Sequence, residues 1–228
     1  MDSEKCLHRL RRGTIEYAAL VCLLSASSGA WSQDVAGGAT ATGGVDALES
    51  FIDEVGTLTA DFEQQIWTSD RQLFESAAGT MSLKRPNRFF WHYQTPIETI
   101  VVADGEGLWM YDVELAQVSV TALADIAAAS PAMLLSGDAD LRDGFDVVQT
   151  YRLDGSDWIK LAPKAAGADF SSVLIGFNGG LPRHLEFVDG LDQTTRIDFS
   201  NVVVNAEIAD DVFEFEPPAG ADVIGTLE

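Results

Sequence analysis

Nucleophilic catalysis needs a base beside a hydroxyl or thiol, and histidine occurs in this chain only as His8, His92 and His184. Both cysteines, Cys6 and Cys22, fall in an N-terminal stretch that reads as a removable leader, and no Gly-x-Ser-x-Gly elbow is present. His92 lies within an aromatic strand-like run and His184 opens another run after Pro182, so both read as structural. Asp138, Asp140 and Asp143 with Gly144 imitate a calcium loop. However, Arg142 replaces the third ligand, the glycine is displaced, and Gln149 stands where a bidentate acid is needed. Gly105-Glu106-Gly107 sits between strands, without the helix that a phosphate site uses. These residues point away from an enzyme and imply neither a metal nor a cofactor.

The most informative side chain is Arg85, in Leu83-Lys84-Arg85-Pro86-Asn87-Arg88-Phe89-Phe90-Trp91-His92-Tyr93. Pro86 fixes its own φ, lacks a donor and pushes Arg85 toward an extended conformation, which places the guanidinium at a strand edge or turn. Beyond it, period two puts Phe89, Trp91 and Tyr93 on one face and Arg88, Phe90 and His92 on the other. A face so nearly pure in aromatics requires an apolar partner.

The elements that hold this stretch follow from pattern. Residues 1–30 form a secretory leader: basic Lys5, Arg9, Arg11 and Arg12, an apolar run from Tyr17 to Leu24 too short to anchor in a bilayer, then small residues to Ala30. Removing it leaves a mature chain without thiols. Residues 31–44 read as a flexible linker and 45–228 as one domain. Asp46 with Glu49 three residues on marks a helix start, and Val45, Leu48, Phe51, Ile52 and Val55 make its apolar stripe. From Thr59 the period becomes two, with Ala60, Phe62, Gln64 and Ile66 on one face. Strands then recur at regular spacing with turns at Asp104-Gly105, Asp154-Gly155, Asn178-Gly179-Gly180 and Asp189-Gly190. One large antiparallel meander, curled or closed, is the expected architecture. The interruption at Ala124–Gly137 reads as a short helix starting at Ser130-Pro131. Its Ala132, Met133, Leu134 and Leu135 are apolar on every side and must be sandwiched between surfaces. Ala209–Phe215 reads as a turn plus the last strand, with Pro217-Pro218 ending the fold.

The net charge of −22 repels phosphate backbones and anionic bilayers, which excludes nucleic acid as a partner and membranes as a sustained binding site. An acidic solvated surface suited to salty surroundings accounts for the size of the excess.

KRPNRFFWHYQTP (84–96), VVADGEGLWMYD (101–112), SPAMLLSG (130–137) and FEFEPPAG (213–220) together resemble the periplasmic outer-membrane lipoprotein carrier family of LolA type, across essentially the whole chain after the leader. The resemblance implies an α+β fold, mainly β with helical cover: a single curled antiparallel sheet forming an incomplete barrel, roofed by short helices around an apolar cavity. It implies a carrier in the periplasm that performs no chemistry. Such a carrier takes acylated lipoproteins from an inner-membrane ABC transporter and hands them to an outer-membrane receptor. Arg85 matches the arginine that holds the helical lid closed, and Phe89 matches an aromatic that engages the transporter. Alternation and the apolar helix put Phe62, Trp91, Met110, Met133 and Leu134 at the lipid, and a monomer is expected. The alternative is a periplasmic lipid- or lipoprotein-sensing regulator on the same half-barrel. Such regulators carry a second domain, and no room for one is expected here.

Overall fold

Side-chain alternation in most of this chain leaves little but strands to form, and strands bury one face only when neighbours extend the sheet. The computed structural model describes residues 43–123, 135–136, 144–165, 168 and 170–227. The leader and the Met133 and Leu134 segment lie outside them. Among the described residues, helix α1 (Gly43–Glu54) precedes eleven strands: β1 (Thr57–Trp67), β2 (Leu73–Lys84), β3 (Arg88–Thr95), β4 (Thr99–Asp104), β5 (Gly107–Asp112), β6 (Gln117–Ala122), β7 (Phe145–Leu153), β8 (Ser156–Pro163), β9 (Phe170–Asn178), β10 (Leu181–Asp189) and β11 (Thr194–Val204). A 3-10 turn (Asp210–Phe213) and a final strand, β12 (Asp222–Thr226), follow. All twelve strands belong to one open sheet, ordered β12-β6-β5-β4-β3-β2-β1-β11-β10-β9-β8-β7. It is built from two meanders that meet where β1 pairs with β11.

Three expectations are corrected. The last strand is not the 209–215 segment: a 3-10 turn stands there, and the chain passes Pro217-Pro218 before forming β12. The sheet is not wholly antiparallel, because β12 pairs parallel with β6. All five residues of β12 are exposed, so no alternation marks it; the unpaired edge of β6 is what makes it a strand. The helix begins at Gly43 rather than after an Asp46 cap, and Asp46 lies in its first turn. Glycine is poor in a helix, but a Cβ on Gly44 would sit 2.4 Å from the Trp158 carbonyl oxygen, so close docking on β8 overrides propensity.

α1 packs on β7, β8 and β9 and defines the inner face of the sheet. Its stripe sinks inward: Leu48, Phe51 and Val55 are buried, and Val45 and Ile52 are partly buried against the same cluster. Three successive carbonyls at the C-terminal end of the helix are claimed by distant residues. Asn205 Nδ2 donates to Glu54 O at 2.9 Å, Arg85 Nε to Val55 O at 2.9 Å, and the Arg85 amide to Gly56 O at 2.9 Å.

The outer face is covered by the C-terminal segment. Phe215 lies 5.6 Å from the Trp109 ring and 6.1 Å from Tyr111, and Phe213 is buried. The β4–β5 turn is fixed by Asp104, whose carboxylate accepts from Glu106 N at 2.8 Å, Gly107 N at 2.7 Å and Trp109 Nε1 at 2.8 Å. Partial burial acts to raise this carboxyl, but the hydrogen bonds outweigh it and hold it below the ordinary aspartate value. A depressed folded-state pKa contributes stability that is complete above the unfolded value and is lost as pH falls through the folded one. Asp104→Asn should therefore lower stability by about 1 kcal/mol at neutral pH and flatten the loss of stability below about pH 4. Urea midpoints of both proteins across the acid range check this, and parallel acid limbs would refute it.

Candidate functional site

The register of β1 to β5 assembles the inner face in rows. One row runs Leu58, Leu83, Phe89, Ala103, Leu108; the next runs Ala60, Met81, Trp91, Val101, Met110. No side chain in either row carries a charge. A third row begins Phe62, Gly79, Tyr93. Gly79 lets the Phe62 ring lie across β2, where an added Cβ would approach it to 3.1 Å. Phe62 thereby reaches Trp91 at 5.0 Å and Tyr93 at 5.1 Å, both edge-to-face. Phe199 of β11 closes the cluster 6.3 Å from Trp91.

Phe62 and Trp91 thus touch, at 2% and 4% exposure. Met110 lies in the Trp91 row, beyond Val101, and is 47% exposed. Met133 and Leu134 lie outside the described residues. The next two residues are buried, Leu135 within the same core cluster, and Ser136 O accepts from the Asn87 amide at 2.9 Å, which ties this segment to the Arg-Pro turn. Phe89 is 3% exposed, so its ring packs in the core and is not presented to a partner in this state.

Arg85 sits at the α1 end of the same rows. Besides its bond to Val55 O, its guanidinium lies 5.1 Å from the centre of the Phe51 ring, so charge and π face both join β2 to the helix. Beside it opens a cleft of about 440 Å³ lined by Lys84, Arg85, Pro86, Asn87, Arg88, Gly105 and Asp210. Asp210 meets Lys84 at 2.6 Å and Arg88 at 3.2 Å. The Lys84 hydrogen bond and the charges of Lys84 and Arg88 hold its carboxyl below the ordinary range.

Tyr93 donates its hydroxyl to Gln64 Oε1 at 3.2 Å, and burial, with Glu75 nearby, pushes its pKa up to about 12. It is a neutral donor at any physiological pH. His92 pairs with Glu98 at 2.9 Å and His184 with Asp198, so each imidazole is held by a carboxylate. The uncharged rows and the aromatic cluster can shelter an apolar group.

Sequence reasoning did not place Met81, Tyr93 and Phe199 at the site. Tyr93 was visible on the aromatic face. Phe199 had only its strand alternation, which says nothing about which strand lies opposite.

The description "Outer membrane lipoprotein carrier protein LolA" belongs to the family model that matches residues 53–216. An outer-membrane lipoprotein carrier protein of Nitrosospira multiformis is 37% identical over 182 residues, 79% of this chain and 88% of that one. Proteins of the same name from Dechloromonas aromatica and Halorhodospira halophila are each 38% identical, over 80% and 79% of this chain and 88% and 85% of theirs. With the family model spanning most of the folded region and relatives aligned over most of both chains, the chain belongs to the outer membrane lipoprotein carrier protein LolA family.

Proposed function

We propose that this protein is a periplasmic carrier that shields the acyl chains of lipoproteins against the inner face of its sheet. It would take them from an inner-membrane ABC transporter and deliver them to an outer-membrane receptor. The observation that carries this reading is the pair of uncharged rows, one of which reaches half-exposed Met110, in a chain whose relatives bear the carrier name. Acyl chains need an apolar wall with adaptable side chains, which Met81 and Met110 supply, and a partner that can release them. The helical cover would be α1 with the segment around Leu135, and Arg85 would hold it shut. No covalent bond is made or broken in this cycle.

Met110 provides a direct test because a charge there faces solvent in the empty protein and lipid in the loaded one. Met110→Asp should weaken binding of a fluorescent fatty-acyl probe by about tenfold while changing the melting temperature by no more than a few degrees. Unchanged probe affinity would count against the inner face as the lipid site.

A further inference from the structure

Trp91 is 4% exposed, and its indole Nε1 is covered and has no hydrogen-bond acceptor among the described residues. Two partly buried indoles do have one: Trp109 Nε1 donates to Asp104 Oδ2 at 2.8 Å and Trp158 Nε1 to Leu153 O at 3.4 Å. The neighbours of Trp91 explain its isolation. Phe62 at 5.0 Å and Phe199 at 6.3 Å offer only ring carbons, and the side chains of the cross-strand pairs Met81 and Val101 offer no oxygen. The nearly parallel Tyr93 ring, 6.5 Å away, has its hydroxyl turned to Gln64. Packing alone would be served by phenylalanine here, because an indole that buries its N–H without a partner loses a hydrogen bond it had in water. A donor set into an otherwise apolar wall fits an acceptor that arrives with the ligand.

We propose that Trp91 Nε1–H donates to the ester or amide carbonyl that joins a bound acyl chain to its head group, and so sets how deep the chain is seated. This inference rests on the carrier reading. An uncharged carbonyl fits better than a carboxylate, since neither the row that holds Trp91 nor the Phe89 row beside it contains a cation, and a buried unpaired charge is far costlier than a buried carbonyl. Satisfying the indole on loading also favours the loaded state over the empty one without adding apolar contact, and the bond can be given up to water on release.

The test pairs two probes of equal chain length, a diacylglycerol ester and its dialkyl ether analogue, whose oxygens are poorer acceptors. Affinities are measured for the wild-type protein and for Trp91→Phe by displacement of a fluorescent acyl probe. The Trp91 indole N–H resonance is followed in parallel by ¹H–¹⁵N spectroscopy of the wild-type protein. The wild type should bind the ester about tenfold more tightly than the ether, and Trp91→Phe should bind both alike at the weaker level. The indole resonance should move downfield with the ester and not with the ether. Equal affinities in the wild type, or a Trp91→Phe loss of the same factor for both probes, would make Trp91 plain wall and overturn the inference while leaving the carrier reading intact. Failure of the wild type to bind either probe would instead remove the carrier reading, and the inference with it. If Trp91→Phe does not fold, the wild-type ester-to-ether ratio and the indole shift decide alone.

Discussion

Replacing Arg85 with leucine should tighten acyl binding and cripple delivery. The guanidinium donates to Val55 O at 2.9 Å and lies over Phe51 at 5.1 Å, so it stabilises the state in which the end of α1 is docked on β2. A charge-assisted hydrogen bond to a helix-terminal carbonyl is worth about 1.5–3 kcal/mol, with a smaller contribution from the ring contact. The Arg85 amide bond to Gly56 O survives the substitution. If loading requires this end to lift, the wild type spends about 2 kcal/mol to open and recovers it on unloading. The Arg85→Leu substitution would remove both terms, so the open population and the acyl affinity should rise about 30-fold, and the equilibrium for transfer to an acceptor should fall by the same factor. Loading of a fluorescent acyl probe and its transfer to the outer-membrane receptor are to be measured separately. Wild-type affinity together with wild-type transfer would refute a gating role for Arg85. A surface arginine with no such role predicts that result.

The largest effect on stability is expected at Gly79. A Cβ there would stand 1.8 Å from the His92 carbonyl oxygen and 3.1 Å from the Phe62 ring, and β2 and β3 change register between Ala78 and Gly79. The first neighbour is backbone, so relief requires the strands to part or the bulge to move. The second is the ring that touches both Trp91 and Tyr93, so the same shift disturbs the aromatic cluster. Gly79→Ala should cost more than about 3 kcal/mol by urea unfolding, and what folds should bind acyl probe poorly. Gly190→Ala is the control, because nothing lies within 4 Å of its added Cβ, and it should change stability by no more than about 0.5 kcal/mol. Equal costs at the two positions would show that close approach at Gly79 does not limit the fold.

Most of the local structure was legible in the sequence. Period two set the faces of β3, and Phe89 and Trp91 are buried while Arg88 and His92 remain partly exposed. The spacing of Leu48, Phe51 and Val55 set the buried side of α1, and Asp104-Gly105 and Asp154-Gly155 marked turns that form. These features depend on neighbours within a few residues, where backbone geometry alone fixes side-chain direction. Tertiary structure decided the rest. Alternation states which face a side chain takes, not which strand lies beside it, so the β1–β11 pairing that brings Phe199 to Trp91 had no local signal. β12 is a strand because β6 leaves an edge open, and Gly43 and Gly44 are helical because β8 lies against them. In both cases a long-range contact outweighs a weak local preference. Sequence placed Arg85 at a strand edge and proline fixed its backbone. That its guanidinium meets the Val55 carbonyl at the end of α1 depends on where the helix docks, and only the folded chain, through contacts between residues 30 positions apart, determines that.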